Sequence, residues 1–299
     1  MLENLLVPLD GSALALAALP AAASVAQATG ARITLLHVIE RKAPQQVHHE
    51  RHLREAAEAE AYLQEIAERC LPAGVRAERH VHAAGVDDVA AGIVQHIEEL
   101  RPDLIIMCTH GHHHLRQWVF GSVAEQVVAM GTMPVLLIPP KDKLECESFG
   151  SRKMLVPLDG EAAHEQGLPL VAELAKACGA SVHLMTVVAT VGSLRGVRAA
   201  TASMLPGTMT AMLEIEQENA GRYLEGLRER FDRLGVSVEC SVRRGKRVQT
   251  ILEAAGETKA DMIVLSTHGK KGTKAFWSAS VGPRVAQEAR APVLLVPIR

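Results

Sequence analysis

The sequence predicts an α/β fold made of two tandem doubly wound domains, each a five-stranded parallel sheet flanked by helices. Three observations support this prediction: the chain repeats itself, short apolar runs are bounded by turn residues, and helical segments separate those runs. Strands that alternate with helices form a parallel sheet covered on both faces, because the helices bury its apolar side chains.

The repeat is visible as three motifs that recur in the same order. They are LVPLDG at 6–11 and 155–160, THG at 109–111 and 267–269, and PVLL at 134–137 and 292–295. Such matches indicate two homologous domains within the 299 residues. We predict a first domain at 1–140, a linker at 141–152 and a second domain at 153–299. The linker is placed there because this region is rich in charges and turn residues.

Each copy is predicted to run β-α-β-α-β-α-β-α-β. In the first copy the predicted strands are Leu5–Leu9, Ile33–Ile39, Arg76–His82, Leu104–Met107 and Val135–Ile138. Apolar residues at helical spacing predict helices over Arg54–Cys70 and Asp88–Leu100. These helices lie between strands, as a parallel sheet requires.

Two features modify this pattern. Pro20 and Pro169 fall inside the first predicted helix of each copy, and we expect them to bend that helix or to mark a late start. The second copy has extra residues at Thr190–Met212. Because this segment is rich in Gly, Ala, Thr and Met, we expect it to form a mobile loop.

The composition narrows the class of protein. Lys plus Arg total 32 and Asp plus Glu total 34, so the formal net charge is −2, and aromatic residues make up 3%. This balance argues against a nucleic-acid binder. Five cysteines without a Cys-x-x-Cys pair indicate a reducing compartment, and no apolar run predicts a membrane span. We therefore expect a cytoplasmic protein.

The loops after the first and fourth strands are candidates for a ligand site. In an open parallel sheet, ligands bind beyond the carboxyl ends of the strands, where the strand order reverses. In the first copy, Asp10–Gly11 follows the first strand and Cys108–Gly111 follows the fourth. If these strands are neighbours, a carboxylate and a glycine loop line one crevice.

A helix start completes the candidate phosphate site. Nine residues separate Gly111 from Gly121, and Glu125 follows Ser122 at the spacing of a capping box. A helix N-terminus offers free N–H groups and a positive dipole end, which suit a phosphate. The alternative is structural: Asp10 caps the first helix, the glycines serve turns and Ser122 caps only its own helix.

Four motifs of the first copy, and counterparts in the second, resemble those of a known protein family. The motifs VPLDGS, LLHVIE, THG-x9-GS and PVLLIP, in this order, resemble a universal stress protein domain, and VPLDGE, THG-x9-AS and PVLLVP resemble a second. The resemblance implies a tandem member with an adenine-nucleotide-binding α/β fold, a strand order of 3-2-1-4-5, and ATP as ligand with or without Mg²⁺. It places Asp10 at the ribose and the backbone of Val38 at the adenine. Gly111, Gly121 and Ser122 would lie at the phosphates.

The candidate nucleotide-binding residues lie after strands or at the start of a helix. In the first copy they are Asp10, Val38, Cys108, Thr109, His110, Gly111, Gly121, Ser122 and Val123. In the second copy they are Asp159, Val187, Ser266, Gly269 and Ser280. We predict no catalytic residue and no metal ligand.

Both copies depart from the pattern of ATP-binding members, the second more strongly. The first glycine of the family motif is Cys108 in one copy and Ser266 in the other. In the second copy Ala279 replaces a further glycine. If Ser280 is the N-cap, Pro283 also removes one free N–H donor. We therefore expect the first domain to bind nucleotide more tightly and the second site to be weaker or empty.

Other reactive side chains are interpreted as structural. Histidines cluster at positions 48–52 and 110–114 without the His-Glu-x-x-His spacing of a zinc site, so we favour polar loops. Cys108 follows an apolar strand without an identifiable base, so we favour a buried structural thiol over a nucleophile.

The leading functional prediction is a stress-response protein that binds nucleotide for regulation rather than metabolism. The sequence has no Walker A lysine motif, so any ATP hydrolysis should be weak. A third class is an interaction module that binds no nucleotide. The last strands, 135–138 and 293–296, are predicted sheet edges. We expect them to pair within the chain as a pseudo-dimer, and homodimerisation stays open.

Overall fold

The computed structural model describes residues 1–42, 46–47, 50–109, 121–130, 133–140, 149–150, 152–268 and 280–298. The strands of the first half are β1 (Asn4–Pro8), β2 (Arg32–Glu40), β3 (Gln46–Val47), β4 (Glu50–Arg51), β5 (Ala77–Val86), β6 (Leu104–Cys108) and β7 (Val135–Ile138). Its helices are α1 (Leu19–Thr29), α2 (Ala56–Cys70), α3 (Val89–Leu100) and α4 (Ser122–Met130).

The second half repeats this order with one insertion. Its strands are β8 (Lys153–Leu158), β9 (Ser181–Val188), β10 (Val238–Arg244), β11 (Met262–His268) and β12 (Val293–Ile298). Its helices are α5 (Leu168–Cys178), α6 (Gly196–Met204), α7 (Pro206–Asp232), α8 (Arg247–Thr258) and α9 (Val281–Glu288). The predicted strands of the first half therefore exist, with ends that differ by a few residues.

Ten of the strands form one continuous sheet in the order β10-β9-β8-β11-β12-β7-β6-β1-β2-β5. Within each half the order is 3-2-1-4-5 and neighbouring strands run parallel. The predicted doubly wound α/β fold is confirmed. Helices cover both faces, which explains why the strands are near-continuous apolar runs.

The two halves join where β7 pairs antiparallel with β12. Leu136 of β7 lies opposite Leu294 of β12, and both side chains are 0% exposed. Helix α1 also packs against α5, and the hydroxyl of Ser24 donates to the carbonyl of Phe149 at 3.1 Å. The prediction that the two terminal strands pair within the chain is confirmed.

One carboxylate in each half fixes the start of the central strand. The Oδ2 atom of Asp103 accepts the backbone N–H groups of Glu3 at 2.7 Å and of Asn4 at 3.0 Å. Asp261 repeats this contact with the two N–H groups at the start of β8, at 2.9 and 3.0 Å. The duplication seen in the motifs therefore extends to individual hydrogen bonds.

Both early prolines mark a late helix start. Helix α1 begins at Leu19 after a 3-10 turn, and Pro20 occupies its first turn. Helix α5 begins at Leu168 in the same way, with Pro169 in its first turn. Proline is tolerated there because its missing N–H would have no helical partner.

The expected mobile loop at Thr190–Met212 is wrong, because this segment forms α6 and the first part of α7. Met209 and Leu213 are buried against Val188 and Ala202, and this apolar cluster stabilises the helices. Met209 is therefore a core residue of the insertion, whereas Met204 and Met212 are exposed. Although α7 has 27 residues, no helix of the described chain is long and apolar enough to cross a membrane.

His37 on β2 is a buried imidazole that should make the fold sensitive to acid. It is 1% exposed, and its Nδ1–H donates to the carbonyl of Leu9 at 2.7 Å. Burial lowers its pKa below the ordinary 6.5, and the bond to Leu9 only partly opposes this shift. The unfolded chain therefore binds this proton more readily than the folded chain, so the free energy of unfolding should fall as the pH drops below 6.5.

Urea denaturation at several pH values between 7 and 5 tests this expectation. In a His37→Gln variant, the free energy of unfolding should fall less steeply as the pH drops. The slopes of the two proteins should differ by at most about 1.4 kcal/mol per pH unit, the contribution of one proton. His164→Gln, at a partly exposed histidine with a carboxylate partner, is the control. A slope unchanged by His37→Gln would contradict the role of the buried ring.

Candidate functional site

Each half has a crevice where its first and fourth strands are neighbours. Strand β1 pairs with β6, and β8 pairs with β11. Asp10 and Asp159 follow β1 and β8, so each half places a carboxylate at the point where the strand order reverses. The predicted adjacency of these strands is confirmed.

In the first half, Asp10 supports its own turn. Its Oδ1 atom accepts the backbone N–H of Ser12 at 2.9 Å and the hydroxyl of Ser12 at 2.7 Å. The buried Ser12 hydroxyl oxygen in turn accepts the N–H of Ala15 at 3.3 Å. This oxygen therefore stabilises the turn after β1, and Asp10 does not cap α1, whose N-cap residue is Ala18.

A leucine covers this turn in the first half but not in the second. Gly11 has a φ of +90°, and a Cβ built there would lie 3.1 Å from the side chain of Leu53. Gly160 has a φ of +86°, and among the described residues nothing lies within 4 Å of a Cβ built there. Leu53 is held by packing against Ile39 and Ala59. No described residue therefore covers the Asp-Gly turn of the second half.

In the second half, Asp159 links the turn to the fourth strand. Its Oδ1 atom accepts the N–H of Glu161 at 3.1 Å and lies 2.7 Å from Nδ1 of His164. The carbonyl of His164 accepts the hydroxyl of Ser266 at 2.6 Å. The side chains of Asp159 and His164 are 35% and 19% exposed, so a ligand can reach them.

The Asp-Gly turn of the second half faces a large crevice. Its outer part has a volume of about 1330 Å³ and is lined by the ends of β8 and β9, by α7 and by the start of α8. An inner part of about 250 Å³ lies against Ser266, Thr267 and Ser280. Asp159 and Val187 line both parts. Ligand pockets of drug size span about 300–1,000 Å³, so the space is large enough for a small-molecule ligand.

Five basic side chains of the described chain line the outer crevice: Arg195, Arg198, Lys246, Arg247 and Arg284. Two of them have carboxylate partners, Glu216 at 2.7 Å and Glu288 at 3.7 Å. Arg195, Lys246 and Arg247 have no carboxylate within ion-pair distance in the part of the chain that is described. Unpaired cations in a crevice raise the local concentration of anionic ligands.

The inner part of the crevice ends at the start of α9. This helix begins at Val281 with Ser280 as N-cap, and the Ser280 side chain makes no capping hydrogen bond. Pro283 is the third helical residue, so one N–H donor is missing there, as the sequence predicted. The hydroxyl of Thr267 is buried and has no partner among the described residues. Two hydroxyl groups therefore remain available to a ligand.

The helix start of the first half differs by one residue from the prediction. Helix α4 begins at Ser122 itself, and the carbonyl of Gly121 accepts the N–H of Glu125 at 2.9 Å. Ser122 is therefore the first helical residue and not the N-cap, and Val123 follows it half-buried. Three further candidates lie outside the described residues: His110, Gly111 and Gly269.

Cys108 and Thr109 end the fourth strand of the first half. Cys108 is 2% exposed, and burial, with a smaller contribution from Asp10, raises its pKa to about 12. The thiol is therefore neutral at physiological pH, which supports a structural role over a nucleophilic one. The hydroxyl of Thr109 donates to the carbonyl of Ile138 at 3.3 Å.

Val38, predicted at the adenine, and the second-half candidate Val187 occupy equivalent positions with different surroundings. Val38 is 6% exposed, and a Cβ built at Gly92 would lie 3.0 Å from its side chain. Val187 is partly exposed and lines the crevice together with Asp159. The structure therefore brings the second-half candidates together in an accessible space.

The basic side chains of this crevice were missed in the sequence analysis. Lys246 and Arg247 lie at the start of α8, and Arg195 directly precedes α6. Neither of these two helix starts adjoins one of the motifs identified in the sequence. The one available signal was the run RRGKR at 243–247, which spans the end of the third strand of the second copy and the start of the next helix.

The protein consists of two doubly wound α/β units joined edge to edge. Each unit has a crevice where its strand order reverses, which is where α/β proteins of this class bind ligands. The sequence matches the universal stress protein family over residues 1–139 and again over 150–297. The chain therefore belongs to the universal stress protein family and contains two of its domains.

Two relatives found by sequence each match about half of the chain. Identity to the universal stress protein YxiE of Bacillus subtilis is 30% over 149 residues, covering 48% of this chain and 97% of that protein. Identity to a universal stress protein of Methanocaldococcus jannaschii is 28% over 145 residues, covering 48% of this chain and 81% of that protein.

A solved structure matches both halves together. The crystal structure of a universal stress protein from Archaeoglobus fulgidus aligns over 99% of this chain and 98% of its own, with a TM-score of 0.62 and 19% identity. This likeness supports the tandem fold.

Proposed function

We propose that this chain binds an adenine nucleotide, ATP, in the crevice of its second half, and that binding regulates a stress response rather than feeding metabolism. The observation that carries the proposal is the crevice itself. Within the described part of the chain, it combines an uncovered Asp-Gly turn, three basic side chains without a carboxylate partner, and the hydroxyl groups of Thr267 and Ser280. The stress-response part of the proposal rests on membership of the universal stress protein family.

The residues present fit a phosphorylated ligand. The carboxylate of Asp159 suits ribose hydroxyls, and the backbone of Val187 suits the base. The hydroxyl of Ser280 and the N–H groups at the start of α9 suit phosphate oxygens. Arg247 lines both parts of the crevice, so it can neutralise phosphate charge from either side.

The sequence-based expectation that the first half binds ATP more tightly stays a prediction. Its glycine loop at 110–120 lies outside the described residues. The described part of that half favours the opposite ranking, because Leu53 covers the turn after Asp10. Full-length variants at Asp10 and Asp159 separate the two sites.

Slow ATP hydrolysis at the same crevice is a second candidate function. One observation favours it: His164 lies 2.7 Å from the carboxylate of Asp159, and an imidazole oriented by a carboxylate can accept a proton from water. Phosphate release measured beside ATP binding separates the candidates. The regulatory proposal expects full ATP occupancy with little phosphate released.

The proposal predicts that Arg247→Glu weakens ATP binding. Calorimetric titration of ATP into the full-length chain should show affinity at least about 10-fold lower, since a charge-assisted hydrogen bond contributes about 1.5–3 kcal/mol. Arg228→Glu is the matched control, because this exposed arginine of α7 contacts Glu225 and Asp232 and does not line the crevice. Equal ATP affinity in both variants would contradict the proposal.

A further inference from the structure

Three imidazoles and one carboxylate meet on the outer edge of the first half. His80 and His82 lie on the edge strand β5, and His96 and Glu99 lie on α3. Nδ1 of His96 is 2.9 Å from Oε2 of Glu99, and Nε2 of His96 is 2.8 Å from Nδ1 of His82. The ring centroids of His80 and His82 lie 4.5 and 4.9 Å from that of His96.

The geometry of this cluster suits a metal ion. One donor atom from each of His80, His96 and Glu99 lies within 4.8 Å of the other two. Tetrahedral ligands with bonds of about 2.0–2.1 Å lie roughly 3.3 Å apart, so modest side-chain rotations bring these atoms to bonding distance. The Glu99 side chain is 61% exposed and free to rotate, whereas His96 is held in place by burial.

The second half shows what the same position looks like without histidines. By strand register and helix position, Ser241 and Arg243 replace the two strand histidines, and Ala254 replaces the helix histidine. The carboxylate is retained as Glu257, which pairs with Arg243 at 2.5 Å. The fold therefore does not require imidazoles here. Where the second half has a guanidinium beside its carboxylate, the first half has three potential metal ligands.

We propose that His80, His96 and Glu99 form a binding site for a divalent transition-metal ion of the zinc type, with His82 as a positioning residue. Imidazole with carboxylate suits Zn²⁺, whereas Mg²⁺ and Ca²⁺ prefer all-oxygen sites. The ion would use the lone pair on Nδ1 of neutral His96, the atom that faces Glu99, so the single N–H of this ring lies on Nε2. There Nδ1 of His82 accepts it and orients the ring.

Titration of Zn²⁺ into chelator-treated, full-length protein tests this site. The wild-type chain should bind Zn²⁺ at this site, and His80→Asn or Glu99→Gln should weaken that binding at least about 10- to 100-fold. Glu99→Gln changes an exposed side chain, so the fold should persist, and circular dichroism checks this. With Co²⁺ as probe, His82→Asn should shift the visible spectrum of the bound ion while keeping some binding.

Matched variants separate this site from other histidines. Glu257→Gln changes the second-half counterpart, His164→Asn changes the cluster at Asp159, and a triple change to Ala removes His112, His113 and His114. All three should keep the Zn²⁺ affinity of the cluster. The proposal is overturned if the wild-type chain binds no Zn²⁺, or if Zn²⁺ binding is lost only in these control variants.

Discussion

Leu136→Ala is expected to lower the free energy of unfolding by about 2–5 kcal/mol, because it removes a buried side chain and leaves a cavity. Leu136 is 0% exposed and lies where the two halves share one sheet. Leu294 faces it from the other half and is equally buried. The substitution should therefore destabilise both halves together. Denaturation should show one cooperative transition, shifted to lower denaturant concentration.

A double-mutant cycle measures the contact between the halves. If Leu136 and Leu294 touch across the junction, their changes to Ala should not be additive, and the coupling should be about 0.5–3 kcal/mol. Leu234→Ala is the control, since this leucine is 49% exposed and its loss should cost less than about 0.5 kcal/mol. Additive effects of the two buried leucines would contradict the observed junction.

Asp159→Ala is expected to weaken ATP binding at the second crevice about 100-fold. The carboxylate would accept ribose hydroxyls, and each hydrogen bond to a charged group contributes about 1.5–3 kcal/mol. The change also removes the contact of Asp159 with His164 at 2.7 Å. Calorimetry on the full-length chain measures both the affinity and the number of ATP molecules bound.

Asp10→Ala is the matched variant in the first half. It removes the cap on the turn at Ser12, so it should reduce stability by about 1 kcal/mol. ATP affinity at the second crevice should stay unchanged. If Asp10→Ala abolishes ATP binding and Asp159→Ala does not, the nucleotide site lies in the first half, as the sequence-based ranking expects.

Much of the fold could be predicted because its signals are local. Apolar runs such as Val135–Ile138 identify strands, and the repeated VPLDG motif identifies the duplication. The pairing of β7 with β12 also followed from local reasoning, since an apolar edge strand needs a partner. The insertion at Thr190–Met212 was misjudged, because its helices depend on packing of Met209 and Leu213 against distant residues.

The site was harder to predict because its decisive contacts are long-range. Leu53 lies far along the chain from Gly11, and nothing in either segment indicates that one covers the other. Arg247 enters the crevice from a helix start that carries no motif. In contrast, Asp159 and Ser280 follow a strand and begin a helix, so their positions could be predicted from sequence.

A crystal structure of the full-length chain grown with saturating ATP would show directly whether the second-half crevice binds the nucleotide. We expect nucleotide density there, with the ribose at Asp159, phosphates near Ser280, and Arg247 in contact with the ligand. An empty second crevice at saturating ATP, with nucleotide bound only beside Asp10 or not at all, would contradict this expectation.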